Sequence, residues 1–136
     1  MAVDISFRIG GQAGQGVESS GAGFCKALTR AGLHVIGVPS YYSRIRGGHN
    51  FFPIRASDRP VLAVKETIEV LLALNAEAVE RQVNSLIFGG FVILDEETGL
   101  DETRLKGYDV HLLRVPMVEI AEREGAALVL WYRKRP

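Results

Sequence analysis

The sequence predicts an α/β fold in three layers, a mostly parallel sheet with helices on its faces. Three observations predict it. Short apolar strand patterns alternate with helical ones along the chain, a glycine-rich turn joins the first strand to the first helix, and no repeat, low-complexity run or linker breaks the alternation. With 136 residues, 47% of them hydrophobic, there is material for one sizeable core, so a single domain over 1–136 is expected.

Ile5-Ser6-Phe7-Arg8-Ile9 alternates apolar and polar residues and stops at Gly10-Gly11, which reads as a strand entering a turn. Val17, Gly21, Phe24, Cys25, Leu28 and Ala31 then recur at steps of three and four, the spacing of one helix face, with Gly32 as a stop. His34 to Val38 reads as a second strand, a parallel neighbour of the first joined through that helix, and Pro39 ends it. Between Phe51 and Val64 two strand pieces are expected about Asp58-Arg59-Pro60. Glu66 to Ala73 reads as a short helix, with Glu66 and Glu69 near its start and Ile68, Leu71 and Leu72 on one face. Asn75-Ala76-Glu77 opens another helix through Val83, Gly89-Gly90 form a turn, and Phe91 to Leu94 make a buried strand. Asp95 to Gly107 reads as surface connection, Val110 to Val115 as a last strand, and Pro116 as the first-turn residue of a last helix. The pattern as a whole is Rossmann-like.

Composition removes several functions. Sixteen basic and sixteen acidic residues cancel, so no broad cationic field exists to hold nucleic acid or anionic lipid. Cys25 is the lone cysteine, which excludes an internal disulfide and falls short of the roughly four thiolates an iron–sulfur cluster needs. The start, Met1-Ala2-Val3-Asp4, has no basic stretch leading into an apolar run, and no segment reaches the roughly 20 apolar residues of a membrane span. Cytoplasmic residence is the default expectation.

Gly10-Gly11-Gln12-Ala13-Gly14-Gln15-Gly16-Val17 places a flexible turn at a helix N-terminus, where backbone N–H groups and the helix dipole favour a phosphate or carboxylate. It is no Walker loop, because Val17 and Glu18 stand where Lys and Ser/Thr belong. Nor is it the dinucleotide fingerprint, since Ala13 and Ser19 fill glycine places and Val38-Pro39 replaces the ribose-binding acid after the second strand. The bland alternative is a tight β-α turn that binds nothing.

The most informative stretch is Ser40-Tyr41-Tyr42-Ser43-Arg44-Ile45-Arg46-Gly47-Gly48-His49-Asn50, placed directly after the second strand, at the carboxyl edge where open α/β sheets bind ligands. Arg44 and Arg46 can clamp phosphate or carboxylate in bidentate fashion, and Gly47-Gly48 can add backbone N–H groups. An interface loop pairing its arginines with a partner's carboxylates is an equal reading of the same residues.

The glycine turn, followed by Tyr42-Ser43-Arg44-Ile45-Arg46-Gly47-Gly48-His49-Asn50, resembles the gamma-type domain of 2-oxoacid:ferredoxin oxidoreductases. Val70-Leu71-Leu72-Ala73-Leu74-Asn75, Gly89-Gly90 with Val92-Ile93-Leu94-Asp95, and Val115-Pro116 follow in the family's order, so that the resemblance covers roughly residues 5 to 124. It implies CoA-dependent oxidative decarboxylation of a 2-oxoacid to acyl-CoA, carbon dioxide and reduced ferredoxin. Pyruvate-, 2-oxoglutarate- and branched-chain-type enzymes share the domain, and the Ser-Arg-Ile-Arg-Gly-Gly-His-Asn form leans towards 2-oxoglutarate. The resemblance further implies alpha-, beta- and delta-type partner subunits or domains, with thiamine diphosphate, Mg and the iron–sulfur clusters held by them. The share left to this chain is coenzyme A docking and assembly, with Gly11, Gln12, Gly14, Gln15, Gly16, Ser43, Arg44, Arg46, Gly47, Gly48, His49 and Asn50 as binding residues and none catalytic.

After about residue 124 the sequence leaves the family pattern and ends in an apolar run with a basic tip, the expectation being a truncated or diverged terminus. Among the remaining residues, Cys25 reads as a small buried hydrophobe, His34 and His111 as structural, and Asp95-Glu96-Glu97 as a solvated charge run. His49 reads equally as a loop-bracing group or a ligand contact. Two other functions compete with the enzyme subunit: a stand-alone small-ligand-binding Rossmann-like domain, and a non-catalytic assembly scaffold. The identity of the partners separates all three.

Overall fold

The computed structural model describes residues 2–41 and 48–125, the side chain of Tyr41 excepted. Its elements are β1 (Asp4–Gln12), α1 (Val17–Arg30), β2 (His34–Gly37), β3 (Ser40–Tyr41), β4 (His49–Ser57), β5 (Ile68–Ala73), α2 (Ala76–Gln82), β6 (Leu86–Asp95), β7 (Val110–Val115) and α3 (Met117–Arg123), with 3-10 turns at Val83–Ser85 and Glu102–Leu105. Among the described residues the sheet runs β2-β4-β1-β5-β6-β7, and β3 pairs with another part of β4. β1, β5, β6 and β7 are parallel neighbours, while β4 lies antiparallel to β1, β2 and β3. The sheet is thus mostly parallel, with one strand reversed.

Two cores make it three-layered. On one face, Val17, Cys25 and Leu28 of α1 pack on Ile9, Phe52, Ile54, Val35 and Leu72. On the other, Ala78 and Val79 of α2 with Leu100 and Leu105 cover Leu71, Ala73, Val92 and Leu94. Phe52 fixes how close α1 comes: a Cβ on Gly21 would stand 2.5 Å from its ring and one on Gly37 2.6 Å.

Several expected elements differ. The expected parallel pairing of the first two strands is interrupted by β4, whose Phe52, Ile54 and Ala56 are buried and whose whole length from Asp4↔Ser57 to Gln12↔His49 pairs with β1. A single strand therefore replaces the two pieces expected between Phe51 and Val64, and the chain past Ser57 is irregular. The helix expected over Glu66 to Ala73 is strand β5. Its apolar residues fit either period, and a place between β1 and β6 with both faces covered decides for the strand. Glu69, expected to favour a helix start, accepts the Ser6 N–H at 2.7 Å. Gly10-Gly11 and Gly89-Gly90 do not end strands either; β1 runs on to Gln12, and β6 carries its glycines in a bulge with Gly89 at φ 75°. Asp95 is buried, not solvated: its Oδ1 accepts the Met117 N–H at 2.9 Å and so caps α3, while Glu96 and Glu97 are exposed. Cys25 is half-buried and desolvation raises its thiol pKa, consistent with a packing role. His34 and His111 are exposed, the latter stacked on Phe91 at 4.9 Å.

Candidate functional site

The glycine turn begins at Ala13, after the last residue of β1, and ends at Gly16, the N-cap of α1. Gly14 (φ 91°) and Gly16 (φ 84°) both have left-handed backbone, which a side chain would strain, and Gly16 caps the helix with no side-chain hydrogen bond. The first turn of α1 has backbone N–H groups that lack acceptors within the helix, and it opens on a cleft of about 530 Å³. Gln12, Gly14, Gly16 and Val17 line one side, with Pro39, Asn50, Phe51 and Phe52 opposite. Glu18, Ser19 and Ala22 also line the cleft.

The turn is braced from within. Gln15 Oε1 accepts the Gln12 N–H at 2.6 Å and the Asn75 Nδ2–H at 2.9 Å, and Gln15 Nε2 donates to the Leu74 carbonyl at 3.4 Å. Asn75 in turn caps α2, its Oδ1 accepting the Ala78 N–H at 2.8 Å. One amide thus joins the turn after β1 to the turn after β5. Gln15→Leu is expected to lower stability by about 1–3 kcal/mol, since it leaves the Gln12 N–H and the Asn75 amide without this acceptor. Gln15→Glu keeps the acceptor oxygen and loses less. Urea unfolding of both variants reads the difference.

The two sequence motifs meet at one bond, where the Ala13 N–H donates to the Gly48 carbonyl at 2.8 Å. Gly48, Asn50 and the backbone of His49 therefore lie beside the glycine turn, and Asn50 lines the cleft. Ser43, Arg44, Arg46 and Gly47 fall outside the described residues. The His49 side chain does not line the cleft. It is buried under α2, with Nε2 3.0 Å from Gln82 Nε2 and its ring stacked on Phe51 at 6.1 Å. Burial holds its pKa below the usual histidine value; nearby Arg81 lowers it further and Glu77 opposes. Gly11 sits at a tight crossing, where a Cβ would be 3.0 Å from both Gln15 Oε1 and Leu74 Cβ.

Sequence reading passed over Arg8, Gln82, Asn75 as a brace, Phe51 beneath Arg8, and Phe52 on the cleft side. Arg8 is one polar residue of an alternating strand, and nothing in its spacing tells that α2 covers it. Among the described residues no cluster of three or more His, Cys, Asp or Glu is arranged to hold a metal. None of their helices is long and apolar enough to cross a membrane.

The chain is similar in sequence and fold to known proteins. The chain is 34% identical over 143 residues to a 2-oxoacid:ferredoxin oxidoreductase alpha subunit of Aeropyrum pernix, an alignment covering 93% of this chain and 22% of that subunit. Another alpha subunit, from Saccharolobus solfataricus, is 35% identical over 82 residues, which is 60% of this chain and 13% of that one. The chain therefore spans about a fifth or less of the length of these curated relatives. Among solved structures it is similar to the 2-oxoglutarate:ferredoxin oxidoreductase of Magnetococcus marinus, determined with 2-oxoglutarate, coenzyme A and succinyl-CoA bound. The TM-score is 0.73 at 28% identity, over 90% of this chain and 22% of that one. The oxoacid ferredoxin oxidoreductase gamma subunit of Geobacter sulfurreducens shares the fold at TM-score 0.73 and 24% identity, over 95% of this chain and 70% of that one. The family model of the pyruvate ferredoxin/flavodoxin oxidoreductases matches residues 6–130, and the chain belongs to that family.

Proposed function

We propose that this chain is the gamma-type domain of a 2-oxoacid:ferredoxin oxidoreductase and that its share of the reaction is to dock coenzyme A. The observation that carries the reading is the Ala13–Gly48 hydrogen bond, which sets the end of the arginine segment against the glycine turn and the N-terminus of α1. An anionic group fits there on physical grounds. Gly14 and Gly16 leave the backbone open to close approach, the helix dipole favours negative charge, and the apolar side chains of Val17 and Phe52 suit the uncharged part of a long ligand. Arg44 and Arg46 would balance its charge, with Ser43 and Asn50 adding hydrogen bonds. Gln15 would act indirectly by holding the turn.

Coenzyme A bound to the Magnetococcus enzyme supports the same role here. When bound, coenzyme A supplies the thiol that accepts the acyl group. Oxoacid decarboxylation and electron transfer would fall to alpha-, beta- and delta-type partners carrying thiamine diphosphate, Mg and iron–sulfur clusters, with ferredoxin as acceptor. One domain over 1–136 in the cytoplasm fits this role.

The experiment is recovery of the native assembly through this chain, with mass spectrometry of the partners and an assay of oxoacid oxidation with and without coenzyme A. Co-purification of cluster-bearing chains with coenzyme A-dependent activity is expected. A partnerless, inactive chain overturns the reading.

A further inference from the structure

Beneath the glycine turn, on the sheet face away from α1, lies a buried polar line that coenzyme A docking does not use. Arg8 of β1 is 8% exposed, Gln82 at the end of α2 2%, and His49 at the start of β4 3%. Arg8 Nη1 donates to Gln82 Oε1 at 2.7 Å and to Ser85 Oγ at 3.0 Å, while Nη2 donates to the Glu66 carbonyl at 3.2 Å. The guanidinium also lies over the Phe51 ring, 5.4 Å from its centroid.

The chemistry of these groups orders their protons. An arginine only donates, so the Gln82 amide must turn its oxygen to Arg8 and its NH2 to the histidine. His49 Nε2, 3.0 Å away, must then accept. This ordering requires a neutral ring with its proton on Nδ1. A second proton on Nε2 would set two donors face to face, and turning the amide over would set its NH2 against the guanidinium. The preceding residue is Gly48, whose carbonyl receives the Ala13 N–H, and His49 itself pairs with Gln12 across the β1–β4 ladder.

We propose that Arg8 and Gln82 are positioning residues that hold His49 as the neutral Nδ1–H tautomer and, through it, keep Gly48 docked on the glycine turn, so that the cleft keeps its shape only while His49 is uncharged. The coenzyme A reading concerns what the cleft binds; the polar line stands apart from it. Among the described residues, charged groups facing His49 include Arg81 and Glu77 on α2, themselves paired at 2.7 Å, and Arg8 on β1 through Gln82. Burial and Arg81 disfavour the imidazolium, so the folded protein takes up the proton at lower pH than the unfolded chain does. The contribution of His49 to stability is complete above the ordinary histidine value of about 6.5 and falls as the pH drops below it towards the lowered folded value.

The test is nitrogen NMR of the full-length chain, whose three histidines are His34, His49 and His111. His49 is expected to show a bare Nε2, a protonated Nδ1 and a midpoint below the ordinary histidine value of 6.5. In Gln82→Glu, nearly the same in shape, an oxygen replaces the NH2 and the midpoint is expected to rise by about one pH unit or more. Protection of the Ala13 amide against hydrogen exchange, corrected for the intrinsic rate, is expected to fall roughly fivefold as His49 charges. An Nε2–H tautomer or an ordinary midpoint in the unaltered protein overturns the assignment whether or not the variant folds. Ala13 protection that ignores the titration overturns the positioning role. None of these readings requires coenzyme A, so failure of the docking proposal is scored separately.

Discussion

Gly21→Ala is expected to destabilise the protein by about 1–2 kcal/mol, whereas Gly23→Ala, two residues further along the same helix, is expected to stabilise it by about 0.5–1 kcal/mol. Both substitutions gain the same helix propensity, so the difference lies in what the new methyl meets. At Gly23 nothing lies within 4 Å; at Gly21 a Cβ would fall 2.5 to 2.7 Å from three carbons of the Phe52 ring. That ring cannot retreat, because its far side already approaches the Cβ position of Gly37 and the sulfur of Cys25 is held there too. Overpacking of a closed core costs about 1–3 kcal/mol, which outweighs the propensity gain at the inner site. Urea unfolding of the two variants reads both signs. Equal stabilisation at the two sites would mean that α1 does not seat on Phe52 as described.

Arg44→Ala and Arg46→Ala are expected each to raise the KM for coenzyme A roughly tenfold to a hundredfold in the assembled enzyme, because a hydrogen bond to a charged group contributes about 1.5–3 kcal/mol. kcat at saturating coenzyme A should change far less, since the arginines would bind the coenzyme in the ground state and the transition state alike. Steady-state kinetics on complexes of verified composition separates the possibilities. If both variants assemble and keep the KM of the unaltered enzyme, the segment serves subunit contact alone. If neither assembles, the arginines face a partner and not the coenzyme.

The α/β class, α1, α2, β7 and α3 were legible in sequence because each is specified locally. Val17 to Arg30 carries its own apolar stripe, Asn75 its own cap for α2, and Pro116 its own helix start. The family was legible for a related reason: a glycine turn and an arginine segment are contiguous words in the chain, whatever their surroundings. That the two motifs belong together also followed from the resemblance, but not how they touch. The bond from Ala13 to Gly48 spans more than thirty residues of chain and exists because β4 lies along β1.

What the tertiary structure decided has one physical cause, which is burial by elements distant in sequence. Ile68 to Ala73 has apolar spacing that suits helix or strand, and only its place between β1 and β6 selects the strand. Gly10-Gly11 and Gly89-Gly90 resemble turns, yet hydrogen bonding to neighbouring strands keeps them extended or bulged. Arg8 carries no sign of burial in its spacing, and His49 reads equally as a brace or a ligand contact, until α2 covers them and both meet Gln82. The sequence by itself determined the family of this protein and pointed to the glycine turn and the Gly48-His49-Asn50 stretch that meets it. The packing of α2 and β4 decided which of those residues face the cleft and which hold it from behind.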